Sequence, residues 1–146
     1  MERILVSMSA LHGAWEAWSR AISLAKRIDA RVYTLLVSPR IVKGANVHAQ
    51  RSKASIVRNR LELLIEAAKL EGIQIDFFIS EGNYDEEVIR FVELNKITLL
   101  VVEHSEMDMR HTDPEFSYIQ KIRHRIKCRV EMVTPRKIKE LKEREG

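Results

Sequence analysis

Apolar residues along this chain occur in two arrangements, short continuous runs and longer segments with helical spacing. Five runs rich in β-branched and other apolar residues predict strands at 3–8, 31–37, 73–79, 96–102 and 128–133. Between them, apolar residues recur every three or four positions and predict helices at 12–28, 50–71, 84–95 and 114–126. Gly72 follows the second helix, at a position where glycine commonly ends a helix.

The apolar stripe of each predicted helix indicates which side packs inward. For the first two helices the expected buried residues are Ala14, Trp18, Ala21, Ala25, Ile28, Ala54, Val57, Leu61, Leu64, Ile65 and Ala68. For the last two they are Val88, Ile89, Val92, Phe116, Ile119, Ile122 and Ile126.

The alternation of strands and helices predicts the fold class. Parallel strands need helical crossovers, so we predict an α/β fold in which one parallel sheet is covered by helices on both faces. Residues 1–134 form this single domain, and residues 135–146 form a charged tail with too little apolar surface to dock firmly. In such a fold a ligand binds outside the carboxyl ends of the strands.

Composition narrows the function classes without naming one. The 146 residues carry a net charge of +4 and a single cysteine, Cys128, which cannot form an internal disulfide. No apolar run approaches the roughly 18 residues of a membrane span, and the first residues do not resemble a signal peptide, so we expect a cytoplasmic protein. The cations at 121–129 spread around a helix instead of gathering on one face, which argues against nucleic-acid binding.

The segment between the fourth strand and the last helix is acidic and contains no glycine. Thr112 or Asp113 can cap the last helix, and Pro114 suits its first position. The loop also contains His104, Asp108 and His111, which could bind a divalent metal, but their spacing matches no specific metal motif. We therefore interpret the segment as a solvated acidic loop, and we expect no metal.

Three blocks of the sequence resemble the universal stress protein family. They are RILVSMS with AISLAKRIDARVYTLLV, then EGNYDEEVIRFVELNKITLLVV, and finally SYIQKIRHRIKCRVEMV, in that order and without internal gaps. The resemblance covers nearly all of residues 3–134. It implies a five-stranded sheet in the order 3-2-1-4-5 and a homodimer formed through the last strand.

The resemblance also implies where a nucleotide would bind. Family members that bind ATP carry G-x-x-G, nine residues, and then G-[ST] after the fourth strand; these positions fall on Glu103, Glu106, Phe116 and Ser117. The aspartate that the family carries after its first strand falls on Ser9. Two carboxylates would repel a polyphosphate, and a bulky ring would occupy the space that the phosphates need. We therefore predict that ATP binding is lost and that the protein needs no cofactor.

The alternative is a nucleotide-binding protein or weak ATPase with an atypical site. Such a site would be formed by residues at the implied positions, namely Ser9, Val37, Glu103 and Ser117, with Lys43 or Arg110 contacting phosphate. The leading prediction is instead a protein that is not an enzyme, and that serves the stress response as a dimeric regulatory or interaction module with an unidentified protein partner.

The last strand predicts the dimer contact. Antiparallel self-pairing centred on Val130 would place Arg129 opposite Glu131 of the second copy, and Met132 would extend the same contact.

The remaining candidate residues have structural interpretations. Cys128 can be a reactive thiol or, as we favour, a buried strand residue. Trp15 and Trp18 can stack on a base, but their helical spacing favours packing in the core or an interface. His12, just before the first helix, is expected to be an exposed loop residue, and no nucleophile motif surrounds Ser7, Ser9 or Ser117.

Overall fold

The computed structural model describes residues 1–40, 47–103 and 114–134, with side chains for 1–40, 48–103 and 119–134. These residues form five strands, β1 Glu2–Ser9, β2 Ala30–Ser38, β3 Ile75–Glu81, β4 Leu99–Glu103 and β5 Arg129–Val133. The helices between them are α1 Trp15–Arg27, α2 Val47–Leu70, α3 Tyr84–Asn95 and α4 Pro114–Arg125.

The strands form one parallel sheet in the order β3-β2-β1-β4-β5, which confirms the predicted fold class and strand order. β1 lies at the centre, and Ile4, Leu5 and Val6 are fully buried because helices cover both faces of the sheet. Within this sheet, β3 and β5 are the edge strands.

Alternation along the strands divides the core into two layers. One layer contains Ile4 and Val6 of β1 with the inner faces of α1 and α2. The other contains Leu5 of β1 with the inner faces of α3 and α4. Among the residues with described side chains, the predicted stripes pack inward with the exception of Ile28, and Leu61 and Ile122 are among the most deeply buried residues.

The end of α1 and the start of β3 differ from the sequence prediction for identifiable reasons. Ile28 is 44% exposed, because α1 ends at Arg27 and the backbone of Ile28 is extended. β3 begins at Ile75 instead of residue 73, because the Ile73 N–H donates to the Ala68 carbonyl and closes the end of α2, with Gly72 in the left-handed region.

An ion pair joins α3 to α4 beneath the carboxyl edge of the sheet. Asp85, in the first turn of α3, is only 3% exposed, and Lys121 Nζ lies 2.9 Å from its Oδ2. The hydrogen bond and the charge of Asp85 raise the pKa of Lys121. This pair fixes the position of α3 relative to α4, and α3 begins at the cleft described next.

Candidate functional site

A cleft with a volume of about 240 Å³ opens at the carboxyl edge of the sheet. Its walls are the ends of β1, β2 and β4, the turn that leads into α1, and the beginning of α3. β1 has β2 on one side and β4 on the other, so the cleft lies where the crossovers change direction. This is the edge at which the sequence places a ligand.

Glu103 contributes the carboxylate of the cleft, and it also caps α1. Its Oε1 accepts a hydrogen bond of 2.9 Å from the Ala17 N–H, in the first turn of that helix. The N-cap position of α1 is Ala14, which has no side-chain acceptor, so an anion from β4 satisfies an N–H that a local residue cannot. The positive end of the α1 dipole is therefore already matched by a negative charge.

Ser9 and Val37 lie side by side in the register of β1 and β2 and both line the cleft. The Ser9 Oγ accepts from the Leu11 N–H at 3.1 Å, and the Ser9 carbonyl accepts from the Gly13 N–H at 2.9 Å. Ser9 therefore forms the turn into α1, where the resemblance places an aspartate. The structure brings Ser9, Val37 and Glu103 into one cleft.

The fourth residue of the alternative nucleotide site cannot be placed in the same way. Ser117 belongs to α4, but its side chain lies outside the described residues, as does that of Phe116. Glu106, Lys43 and Arg110 also lie outside the described part of the chain, and so do the predicted caps Thr112 and Asp113.

Tyr84 is a cleft residue that the sequence analysis missed. It is the first residue of α3, and its hydroxyl lies 2.6 Å from the hydroxyl of Ser7. Ser7 is 1% exposed. Its sequence signal is a hydroxyl within the apolar run 4–8, because a buried polar group needs a partner. The pair links the centre of β1 to α3 along one wall of the cleft.

The two tryptophans pack as structural residues. Trp18 is 4% exposed in the core, which confirms its predicted position. Trp15 packs against the same layer, and the Arg60 guanidinium carbon of α2 lies 4.3 Å from the centre of its ring. One face of Trp15 is therefore covered by a cation.

His12 lines the cleft beside Gly13. The metal alternative concerns His104, Asp108 and His111, which lie outside the described residues. Among the residues that the structure describes, no three metal-ligating side chains form a group that could hold an ion. Within the same residues, no helix is long and apolar enough to cross a membrane.

The thiol of Cys128 is half-buried immediately before β5 and packs against the α3–α4 layer. Burial, the largest influence, raises the pKa of this thiol. The thiolate is the nucleophilic form, so a higher pKa lowers its reactivity at neutral pH.

We expect Cys128 to react more slowly with iodoacetamide than free glutathione in the same solution at pH 7.5, because less of it is ionised and it is partly covered. The labelling rate should rise with pH through a midpoint above that of glutathione. Mass spectrometry at timed intervals measures both rates, and protein unfolded in urea is the control. Native Cys128 reacting faster than glutathione would contradict the structural interpretation.

The edge strand β5 contains the residues predicted to form the dimer contact. Arg129 Nη2 lies 2.7 Å from Glu2 Oε1, and Glu131 Oε1 lies 2.9 Å from Arg20 Nη2, all within one chain. Val130 and Met132 point to the other face, where they pack against the α3–α4 layer. The charged residues of the predicted contact thus have intrachain partners as well.

The strand order and the cleft at the β1–β4 boundary define a doubly wound α/β protein with a cleft at its switch point. A model of the universal stress protein family matches residues 1–133, so the chain belongs to this family. No curated protein sequence matches the chain.

Solved structures agree with this assignment at the level of the fold. The universal stress protein UspA from Lactobacillus plantarum superposes with a TM-score of 0.72 at 16% identity, covering 90% of this chain and 97% of that one. A universal stress protein in complex with cAMP gives 0.61 at 18% identity, covering 91% and 96%. A family protein from Arabidopsis thaliana with AMP bound gives 0.58 at 13% identity, covering 92% of each chain.

Proposed function

We propose that this universal stress protein is a non-catalytic, ATP-independent module that acts in the cytoplasm as a homodimer and regulates or recruits another protein in the stress response. The observation that carries the proposal is the Glu103 carboxylate, held in the cleft by the N-terminus of α1. A polyphosphate in this cleft would meet a fixed negative charge at the helix end that could otherwise attract it.

The magnitude of that repulsion supports the proposal. Two unit charges 4 Å apart repel by about 1 kcal/mol in water and by about 4 kcal/mol near a protein surface. Because ATP carries several charges, it is affected more than AMP or adenosine. Screening by salt reduces the penalty most for the exposed parts of the ligand.

A second candidate function is binding of a nucleoside or a nucleoside monophosphate. Two structurally similar family proteins were solved with cAMP and with AMP. In this chain, the cleft offers the hydroxyls of Ser9 and Tyr84 beside the apolar side chain of Val37. These groups suit an uncharged base or sugar better than a triphosphate.

Calorimetric titration of ATP, AMP and adenosine into the protein distinguishes the candidates. We expect no ATP binding by the wild-type protein at micromolar concentrations. Glu103→Gln keeps an oxygen acceptor for the Ala17 N–H and removes the charge, so it should bind ATP at least about fivefold more tightly than the wild-type protein, corresponding to about 1 kcal/mol.

The matched control is Glu16→Gln, which removes a carboxylate from the same helical turn but does not line the cleft. It should leave ATP binding unchanged. Micromolar ATP affinity in the wild-type protein would refute ATP independence. Binding of AMP or adenosine without ATP would establish the second candidate.

The proposed homodimer pairs β5 with its copy so that Arg129 faces Glu131 of the second copy, twice. Each such pair contributes about 0.2–1 kcal/mol. Glu131→Arg should therefore weaken the dimer up to about thirtyfold in dissociation constant, because both pairs are lost, and the exchange Arg129→Glu with Glu131→Arg should restore it.

The double variant distinguishes charge pairing between the two copies from the ion pairs within one chain. It restores opposite charges between copies but leaves like charges at the contacts with Glu2 and Arg20. Sedimentation equilibrium of the three proteins measures the dissociation constants. A monomeric wild-type protein, or an exchange variant no better than Glu131→Arg, would contradict this register.

A further inference from the structure

The outward face of α2 carries three large apolar side chains at intervals of seven residues. Ile56 is 68% exposed, Leu63 is 74% exposed and Leu70 is 89% exposed. At 100° per residue, a step of seven residues falls only about 20° short of two full turns, so the three side chains form one line about 21 Å long. We call Ile56, Leu63 and Leu70 the α2 outer row.

The α2 outer row lies on the side of the helix opposite to the core. The buried residues Val57, Leu61, Ile65 and Ala68 follow their own helical spacing on the inner side. Ala67, between two members of the row, is exposed as well. Single exposed leucines are common on proteins, but an aligned row offers a continuous surface for a second helix.

The spacing of the row is self-complementary. Leu63 lies midway between Ile56 and Leu70, seven residues from each. A twofold axis at Leu63 would therefore place each Leu63 against its own copy and each Ile56 against the Leu70 of the other copy. This geometry is that of an isologous contact between antiparallel helices.

The charges along α2 and at its end also favour a second copy of this chain, with the two helices antiparallel. Four cations and no carboxylate lie between residues 47 and 60: Arg51, Lys53, Arg58 and Arg60. Three carboxylates and one cation lie between residues 61 and 71: Glu62, Glu66, Lys69 and Glu71. With the axis at Leu63, antiparallel pairing places Arg60 of each copy opposite Glu66 of the other, whereas parallel pairing places like charges together.

We propose that the α2 outer row is a docking surface for a second copy of this chain, packed antiparallel about a twofold axis at Leu63. This contact is separate from the β5 contact, because α2 packs beside β3 and β5 forms the opposite edge of the sheet. A protein with both contacts assembles into a closed tetramer or an open chain, depending on the angle between the two axes.

The position of the axis gives a direct test. Leu63→Cys in a Cys128→Ser background places a single thiol on the proposed axis, where it meets its own copy. Under mild oxidation we expect most of this variant to become a covalent dimer. Leu94→Cys in the same background is the matched control, since Leu94 is 75% exposed on α3, and it should stay uncrosslinked. No crosslink through Leu63, or equal crosslinking of both variants, would overturn the proposal.

The assembly state gives an independent test with the natural cysteine present. Leu63→Glu places two carboxylates together on the axis, so it should raise the dissociation constant of this contact at least about tenfold and lower the mass measured by light scattering, to half in the case of a closed tetramer. Leu94→Glu should not change the mass. Equal masses for wild type and Leu63→Glu, or the same loss in both variants, would contradict an α2 contact. Unchanged helical circular dichroism confirms that each variant is folded.

Discussion

Leu61→Ala should lower the free energy of unfolding by about 2–5 kcal/mol, because it removes a fully buried side chain and leaves a cavity between α2 and the sheet. Leu61 is among the most buried residues of the layer that joins α2 to β1 and β2. Urea denaturation followed by far-ultraviolet circular dichroism measures the loss as a shift of the midpoint at constant slope.

Leu94→Ala is the control for the same chemical change at the surface. Its side chain is 75% exposed, so its removal should change the free energy of unfolding by no more than about 0.5 kcal/mol. A loss below about 1 kcal/mol for Leu61→Ala, or equal losses for both variants, would show that α2 does not pack as described.

Regular periodicity made most of the fold predictable. α3 spans Tyr84–Asn95, as predicted, because acids occupy its first turn and its apolar stripe has a clear start. The strand order, which only the family resemblance implied, was also correct. The start of β4 was not predicted correctly from its apolar run. β4 begins at Leu99 instead of residue 96, because the Ile97 N–H donates to the Val92 carbonyl at the end of α3.

The candidate site was predictable in place but not in detail. Ser9 and Glu103 do line one cleft, since they are the last residues of two neighbouring parallel strands. The bond from Ala17 to Glu103 spans 86 residues, and the Ser7–Tyr84 bond spans 77, so neither leaves a local pattern. The fold places Ala14, which has no side-chain acceptor, at the N-cap of α1, and it also shows that Glu103 of β4 supplies the acceptor.

α2 shows a different limit of sequence analysis. Its core stripe was predicted and contains Leu61 and Ile65, both buried. The sequence analysis placed Leu64 in this stripe and left Leu63 out, and the fold agrees, because Leu64 packs against the core and Leu63 is exposed. The outer row is a second apolar pattern on the same helix, and a search for one inward face leaves it unexamined.

The turn before α1 gives the second large effect. Gly13→Ala should lower the free energy of unfolding by about 2–4 kcal/mol, combining the strain of a left-handed residue with overpacking. Gly13 has φ of +72°, and an added Cβ would lie 2.6 Å from the Trp15 ring. The ring is packed between the core and Arg60, so it has little room to move. Urea denaturation measures the loss.

Gly72→Ala is the matched control, because it changes the same residue type at φ +90° with no atom within 4 Å of the new Cβ. It isolates the cost of the left-handed backbone, about 1 kcal/mol. Adding Trp15→Leu to Gly13→Ala should recover part of the free energy of unfolding that Gly13→Ala loses beyond Gly72→Ala, since the smaller side chain removes the contact with the new Cβ. Equal losses for the two glycine variants would show that the Trp15 ring does not restrict this turn. A larger loss for Gly13→Ala would instead show that the ring holds the turn that starts α1, and with it the helix end to which Glu103 binds.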